Sequence, residues 1–315
     1  MKRKVLDIVS DHGESLAHEH GGHGVSRRRL TAALAVTVAV LVVELVGAVV
    51  TGSLALAADA GHMAVDSTGL VIALIATVLM ARPRDDRHTW GWERSEVIAA
   101  ALQAGMLLII CLLVAWEAVR KLLSPTPVDA GAMLTIGVIG LVANAVSLLI
   151  LSGGRGDSLN MRAAFLEVAN DALGSLAVIV AATVAVTTGW HYGDAVAALF
   201  IAALMAPRAA ILLRRSLRIL MEETPEGLEL SDVREHILSV PGINDVHDLH
   251  VTTISTGNVA LTAHVTVSAQ IDEDSRVQMV HSLQECVASH FPVAVTHSTF
   301  QVDSPEHRDH EHLRH

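Results

Sequence analysis

The chain has 315 residues, of which 51% are hydrophobic and only 17% charged, with a mean hydropathy of +0.47 and a net charge of −11. Soluble domains carry about 25% charged residues, so this composition excludes a soluble globular protein and points to a membrane protein. The acidic balance argues against a nucleic-acid partner.

Residues 1–28 begin MKRKVLDIVSDHGESLAHEHGGHG and read as a polar cytoplasmic tail. They hold basic residues but no apolar run ending in a small-residue cleavage site, so no signal peptide is expected. A helix crosses the hydrocarbon core, about 30 Å thick, with about 20 apolar residues. Six segments meet that need within 29–220, at about 30–52, 56–81, 95–122, 130–151, 160–188 and 193–220. Membrane lipid is therefore the surrounding partner. Glu44 on the first span reads as an interhelical hydrogen-bond partner, as do Gln103, Glu117 and Asn144 on later ones.

The second span contains GHMAVDSTG, where His62 and Asp66 lie four residues apart and share one helix face. Asp59, three residues earlier, is placed to orient the imidazole from behind. The fifth span repeats the spacing in FLEVANDALGS, with Glu167 and Asp171. A charged side chain near the bilayer centre costs about 2.5 to 3.5 kcal/mol on insertion scales. An interhelical hydrogen bond would explain one such pair. Two matched pairs on different helices call for a divalent cation between them, and one imidazole with three carboxylates makes a tetrahedral set that suits zinc.

Lys and Arg gather before the first span, between the second and third (Arg82, Arg84, Arg87, Arg94), between the fourth and fifth (Arg155, Arg162) and after the sixth (Arg214, Arg215, Arg218). The opposite loops are nearly empty of them, so the positive-inside rule places both termini in the cytoplasm.

Residues 221–303 change in texture. An amphipathic helix is followed by two alternating strands, a second helix at about 274–290 and a last strand, making a small α/β domain. Gly257 and Asn258 fit the turn between the paired strands. From Glu222 to Asp303 there are thirteen Asp and Glu but only Arg234 and Arg276 opposing them, so the whole net charge sits in this one module and favours cations. His250 and His264 fall on the strand faces opposite the apolar residues and are able to converge. Cys111 and Cys286 have no sequence neighbour suited to a disulfide or a CxxC site. His12, His18, His20 and His23 in front, and His307, His310, His312 and His315 in the tail 304–315, make the chain His-rich at both ends, a composition that binds metals loosely.

Taken together, the six spans, the HxxxD pattern on the second, the matching pair on the fifth, the loop RPRDDRHTWGWERSEVIAA and the tail domain with LMEETPEG and VHDLHV resemble the cation diffusion facilitators. These are proton-coupled exporters of zinc and related divalent metals, and the resemblance covers nearly the whole chain. It implies a transport site of His62, Asp66, Glu167 and Asp171 and efflux from the cytosol across the cell membrane in exchange for protons; with no phosphate loop readable, no dependence on ATP is expected. It also implies a ferredoxin-like cytoplasmic domain that forms a homodimer and binds zinc through His247, His264 and His297. The pattern departs at Glu167, where zinc members usually carry His. A more oxygen-rich site tolerates Mn(II), Fe(II), Co(II) or Cd(II) better, which leaves zinc first and those metals the alternative. In DDRHTWGWER, Asp85, Asp86 and His88 remain, but Trp92 stands where some relatives have His. Tryptophan cannot ligate a metal, so the loop is expected to lack a strong site and to anchor Trp90 and Trp92 at headgroup depth.

Two other classes stay in view. A membrane-embedded metalloenzyme needs a general base and an open metal position, and no nucleophile with an adjacent base, HExxH or phosphate loop is readable; no enzyme is expected. A metal sensor anchored by its spans would leave charged pairs inside the bilayer without a purpose.

Overall fold

The computed structural model describes residues 32–152, 159–268 and 271–308, without the side chains of 159–164 and 307–308. The His-rich tails therefore lie outside the described residues, apart from the backbone of His307. Six helices are long and apolar enough to span a membrane: α1 (Ala32–Thr51), α2 (Leu54–Met80), α3 (Ser95–Leu123), α4 (Ala130–Ser152), α5 (Leu159–Thr188) and α6 (Gly193–Leu220). Leucine, valine and alanine dominate them, and large apolar side chains such as Val49, Leu113 and Leu149 point outward, as a lipid-facing surface requires. The chain is a multi-pass membrane protein.

The described residues form two compact units. One comprises the described chain up to Leu70 with Gly105–Ala210; the other comprises Val71–Ala104 and the described chain from Ile211 onward. The first has a core of small residues, including Ala55, Ala58, Ala118, Ala182, Ala198 and Ala202, around Leu56, Met133, Val178 and Ile201. Small side chains let helix backbones approach where water supplies no driving force. At Gly137 on α4 the fit to α5 is so close that a Cβ would lie 3.0 Å from Val178 Cγ1.

One end of this unit is fastened by Asp194, in the first turn of α6. Its carboxylate accepts hydrogen bonds from the Leu54 and Ala55 amides at 2.8 and 3.0 Å, from Ser53 Oγ at 2.6 Å and from Lys121 Nζ at 3.2 Å. A residue of α6 thus caps the start of α2 and satisfies amides that have no partner within the helix.

The second unit contains the α/β domain. Its elements are α7 (Leu230–Leu238), β1 (Ile243–Ser255), β2 (Asn258–Val267), α8 (Glu273–Ser289), β3 (His297–Asp303) and the short α9 (Pro305–Arg308). The sheet runs β1-β2-β3, with β1 and β2 antiparallel and β2 and β3 parallel. A parallel pair needs a crossover, and α8 supplies it. Leu228, Val233, Ile237, Val251, Leu261, Val265, Leu283 and Val287 are among the residues of its core. Thr256 and Gly257 form the two-residue turn of the hairpin, Gly257 at φ +78°, whereas Asn258 already belongs to β2.

Candidate metal sites

His62 and Asp66 lie one turn apart on α2, and Asp171 reaches them from α5. His62 Nε2 is 3.2 Å from Asp66 Oδ2 and 3.6 Å from Asp171 Oδ1, so one imidazole nitrogen stands between carboxylates of two helices. His62 and Asp171 are 3% and 4% exposed. Glu167, one turn before Asp171, brings its carboxyl beside that of Asp66 and lies 4.0 Å from Arg208 of α6. All four candidate ligands therefore face one region, and His62 also lines a narrow cleft with Asn170, Met205 and Arg208. Pro207, next to Arg208, cannot donate the helical hydrogen bond to the Ala203 carbonyl and loosens α6 at this level.

Asp59 is fully buried, but neither its oxygens nor His62 Nδ1 has a hydrogen-bond partner. The expected hydrogen bond from imidazole to Asp59 is therefore not formed. Glu44 likewise makes no interhelical hydrogen bond, and both its oxygens are buried without a partner. Asn144 does bridge helices, donating to Ser175 Oγ at 3.4 Å.

In the α/β domain the donor atoms of His247, His264 and Asp303 all lie within 4.8 Å of one another, the one such trio of potential ligands among the described residues. His247 and His264 are register partners on β1 and β2 with ring centroids 5.4 Å apart. Asp303, at the end of β3, lies 3.5 Å from His264 Nδ1. The parallel register sets His264 beside Gln301, so the side chain two residues further along the same face, Asp303, completes the trio. Two imidazoles and a carboxylate are three of the four donors of a tetrahedral set that suits zinc.

His250 and His297 do not join it. A bulge between His247 and His250, where Asp248 takes φ +50°, breaks the alternation and turns His250 toward Asp248, 2.9 Å away. His297, at the far end of β3, packs edge-on against Trp90 with centroids 5.1 Å apart. The family resemblance implied His297, which lies apart from this cluster, and did not include Asp303, which lies in it.

The loop between α2 and α3 is occupied by its own hydrogen bonds. Asp85 accepts from the amides of His88 and Arg87 at 2.7 and 2.9 Å and contacts His88 Nδ1 at 3.0 Å. The His88 and Arg87 amides hold its carboxyl below the usual carboxylate range. His88 stacks on Trp92 at 4.1 Å.

These features accord with known sequences. Residues 30–221 match the family described as the cation efflux transmembrane domain, and residues 225–305 the one described as the cation efflux protein, cytoplasmic domain. The metal cation efflux system protein CzcD of Cupriavidus metallidurans is 37% identical over 91% of this chain and 89% of its own length. The zinc transporter ZitB of Escherichia coli is 35% identical over 93% of this chain and 92% of its own, and the cadmium, cobalt and zinc/H(+)-K(+) antiporter of Bacillus subtilis is 33% identical over 93% of each. The chain belongs to the cation efflux family.

Proposed function

We propose that this protein exports divalent metal cations, zinc first, from the cytosol across the cell membrane in exchange for protons. The observation that carries the reading is His62 Nε2 placed between Asp66 and Asp171 inside the helix bundle. Carboxylates at that depth need a compensating charge, and the transported ion supplies it. Its ligands would be His62, Asp66, Asp171 and Glu167. Protons compete with a metal for those same groups, so proton arrival from the outer side drives release. The names of the relatives, which include zinc, cadmium and cobalt carriers and an H(+)-K(+) antiporter, support this assignment. Both termini face the cytoplasm by the distribution of Lys and Arg. Glu167 and Arg208 then lie on the cytoplasmic side of His62, where a metal would enter.

His247, His264 and Asp303 would hold a regulatory zinc in a cytoplasmic domain that pairs two protomers. A metal there would neutralise part of an acidic module and stiffen the sheet. The second reading, a preference for Mn(II), Co(II) or Cd(II), has one specific observation in its favour: the oxygen donor of Glu167 beside Asp66.

The test is metal flux into proteoliposomes with an imposed pH gradient. Wild type should carry zinc in a gradient-dependent manner, and Asp66→Ala and Asp171→Ala should each abolish that flux while leaving the oligomeric state unchanged. Normal transport by either variant would overturn the assignment.

A further inference from the structure

Two buried carboxylates remain outside this scheme. Glu44 of α1 is 1% exposed and Asp59 of α2 is 0% exposed. All four of their oxygens are buried without a hydrogen-bond partner. Glycines make the space they occupy: a Cβ on Gly140 of α4 would lie 2.7 Å from Glu44 Oε1 and 3.1 Å from Ser175 Oγ, and a Cβ on Gly174 of α5 would lie 2.7 Å from Asp59 Oδ1. Asn144 Oδ1, next to Ser175, and Ser147 Oγ are buried and unpartnered as well.

Asp59 precedes His62 by three residues and Gly174 follows Asp171 by three, so this layer lies about one helical turn beyond the metal ligands. Buried polar groups are nearly always hydrogen-bonded, and an uncompensated charge in such a place is strongly disfavoured. What the layer lacks is a positive charge. Its unpartnered donors are all oxygen, with no imidazole among them, and only Glu44 and Asp59 are carboxylates. A divalent ion held in a tight tetrahedron does not suit it.

We propose that Glu44 and Asp59 form a station for one monovalent cation, delivered as a proton or as an alkali-metal ion. The charged and titratable groups that face it are Asp171 and His62 of the adjoining turn; the Ser175 hydroxyl, beside Glu44 across Gly140, adds a neutral oxygen. A charge seated here and a divalent ion at His62 and Asp171 repel each other at short range in a medium of low dielectric. Filling one site therefore favours emptying the other, which would make the station the seat of the counter-ion.

Because the station rests on the export reading, the experiment separates the two. Full-length wild type, Glu44→Gln, Glu44→Asp and Asp59→Asn are reconstituted, and radiolabelled zinc flux is driven by a pH gradient or by a potassium gradient. Zinc binding is measured by calorimetry on the same preparations. Glu44→Gln should bind zinc within about threefold of wild type yet lose about tenfold of its gradient-driven flux, a size within ordinary coupling between sites. Glu44→Asp should recover part of the flux, which a merely structural role would not predict. Loss of the response to the pH gradient alone identifies the proton, and loss of the response to potassium alone identifies the alkali ion. Should Glu44→Gln fail to fold, Asp59→Asn carries the same expectation. If wild type shows gradient-driven flux and both neutral variants keep it unchanged, the station is wrong while export stands. If wild type shows no zinc flux in any gradient, export itself fails.

Discussion

Glu167 is the residue at which donor chemistry, and not spacing, would set what the proposed site prefers. It shares the four-residue spacing with Asp171 and lies between Asp66 and Arg208, so as a ligand it would supply an oxygen where an imidazole would supply a softer nitrogen. Glu167→His should therefore retain transport and shift competition between zinc and Mn(II) toward zinc by about tenfold, or about 1.4 kcal/mol. Mixed-metal competition flux checks it; identical selectivity in the two proteins would remove Glu167 from the ligand set. In the cytoplasmic trio, Asp303→Asn should weaken zinc binding as strongly as His264→Ala in calorimetry of the full chain, whereas His297→Ala should leave it within error. The HDLH stretch made His247 legible, but Asp303 depends on the β2–β3 register, which no local pattern in HSTFQVD encodes.

At the level of elements, apolar length decided the helices: α2 to α6 each start and stop within two residues of the segments expected from hydropathy. The bulge in β1 was not legible, because strict alternation through VHDLHV gives no sign that Asp248 adopts φ +50°. Nor was the cap of α2, since Ser53 and Asp194 are separated by most of the transmembrane chain and only the fold brings them to 2.6 Å. Asp194→Ala should cost about 1 to 2 kcal/mol, the usual loss of an N-cap, and leave Lys121 without its carboxylate. A lowered melting temperature of the purified protein would register it. At Gly174 the reason for glycine is contact with Asp59. Gly174→Ala should cost about 1 to 3 kcal/mol as overpacking does, more than the same change at Gly105, where a Cβ meets nothing within 4 Å.

On the scale of the whole molecule, the α/β domain bears the chain's entire net charge, yet it also presents neutral hydrogen-bond donors to the connection between α2 and α3 and to the first turn of α3. Within their common unit, Asn258 Nδ2 and Ser255 Oγ donate to Glu93, Ser255 at 3.1 Å, and Thr256 Oγ1 donates to Glu96 at 2.9 Å. Two carboxylates thus grip the β1–β2 hairpin turn, the far end of the strands that carry His247 and His264. The Asn258 amide, followed by Arg84 and Ser255, holds the Glu93 carboxyl below the usual glutamate range. Because the folded value is depressed, the stabilisation is present above the unfolded value, about 4.3, and is lost as the pH falls through the folded value. Amide exchange at residues 255–258 should therefore be slow and nearly constant from neutral pH to about pH 5, after correction for intrinsic rates, and should accelerate below about pH 4. Glu93→Gln, which keeps the shape but not the charge, should exchange faster already at pH 7 and show no further acceleration of this kind on acidification. Equal protection in the two proteins across the whole range would mean that neutral contacts hold the turn and that the ionised Glu93 adds nothing to the grip.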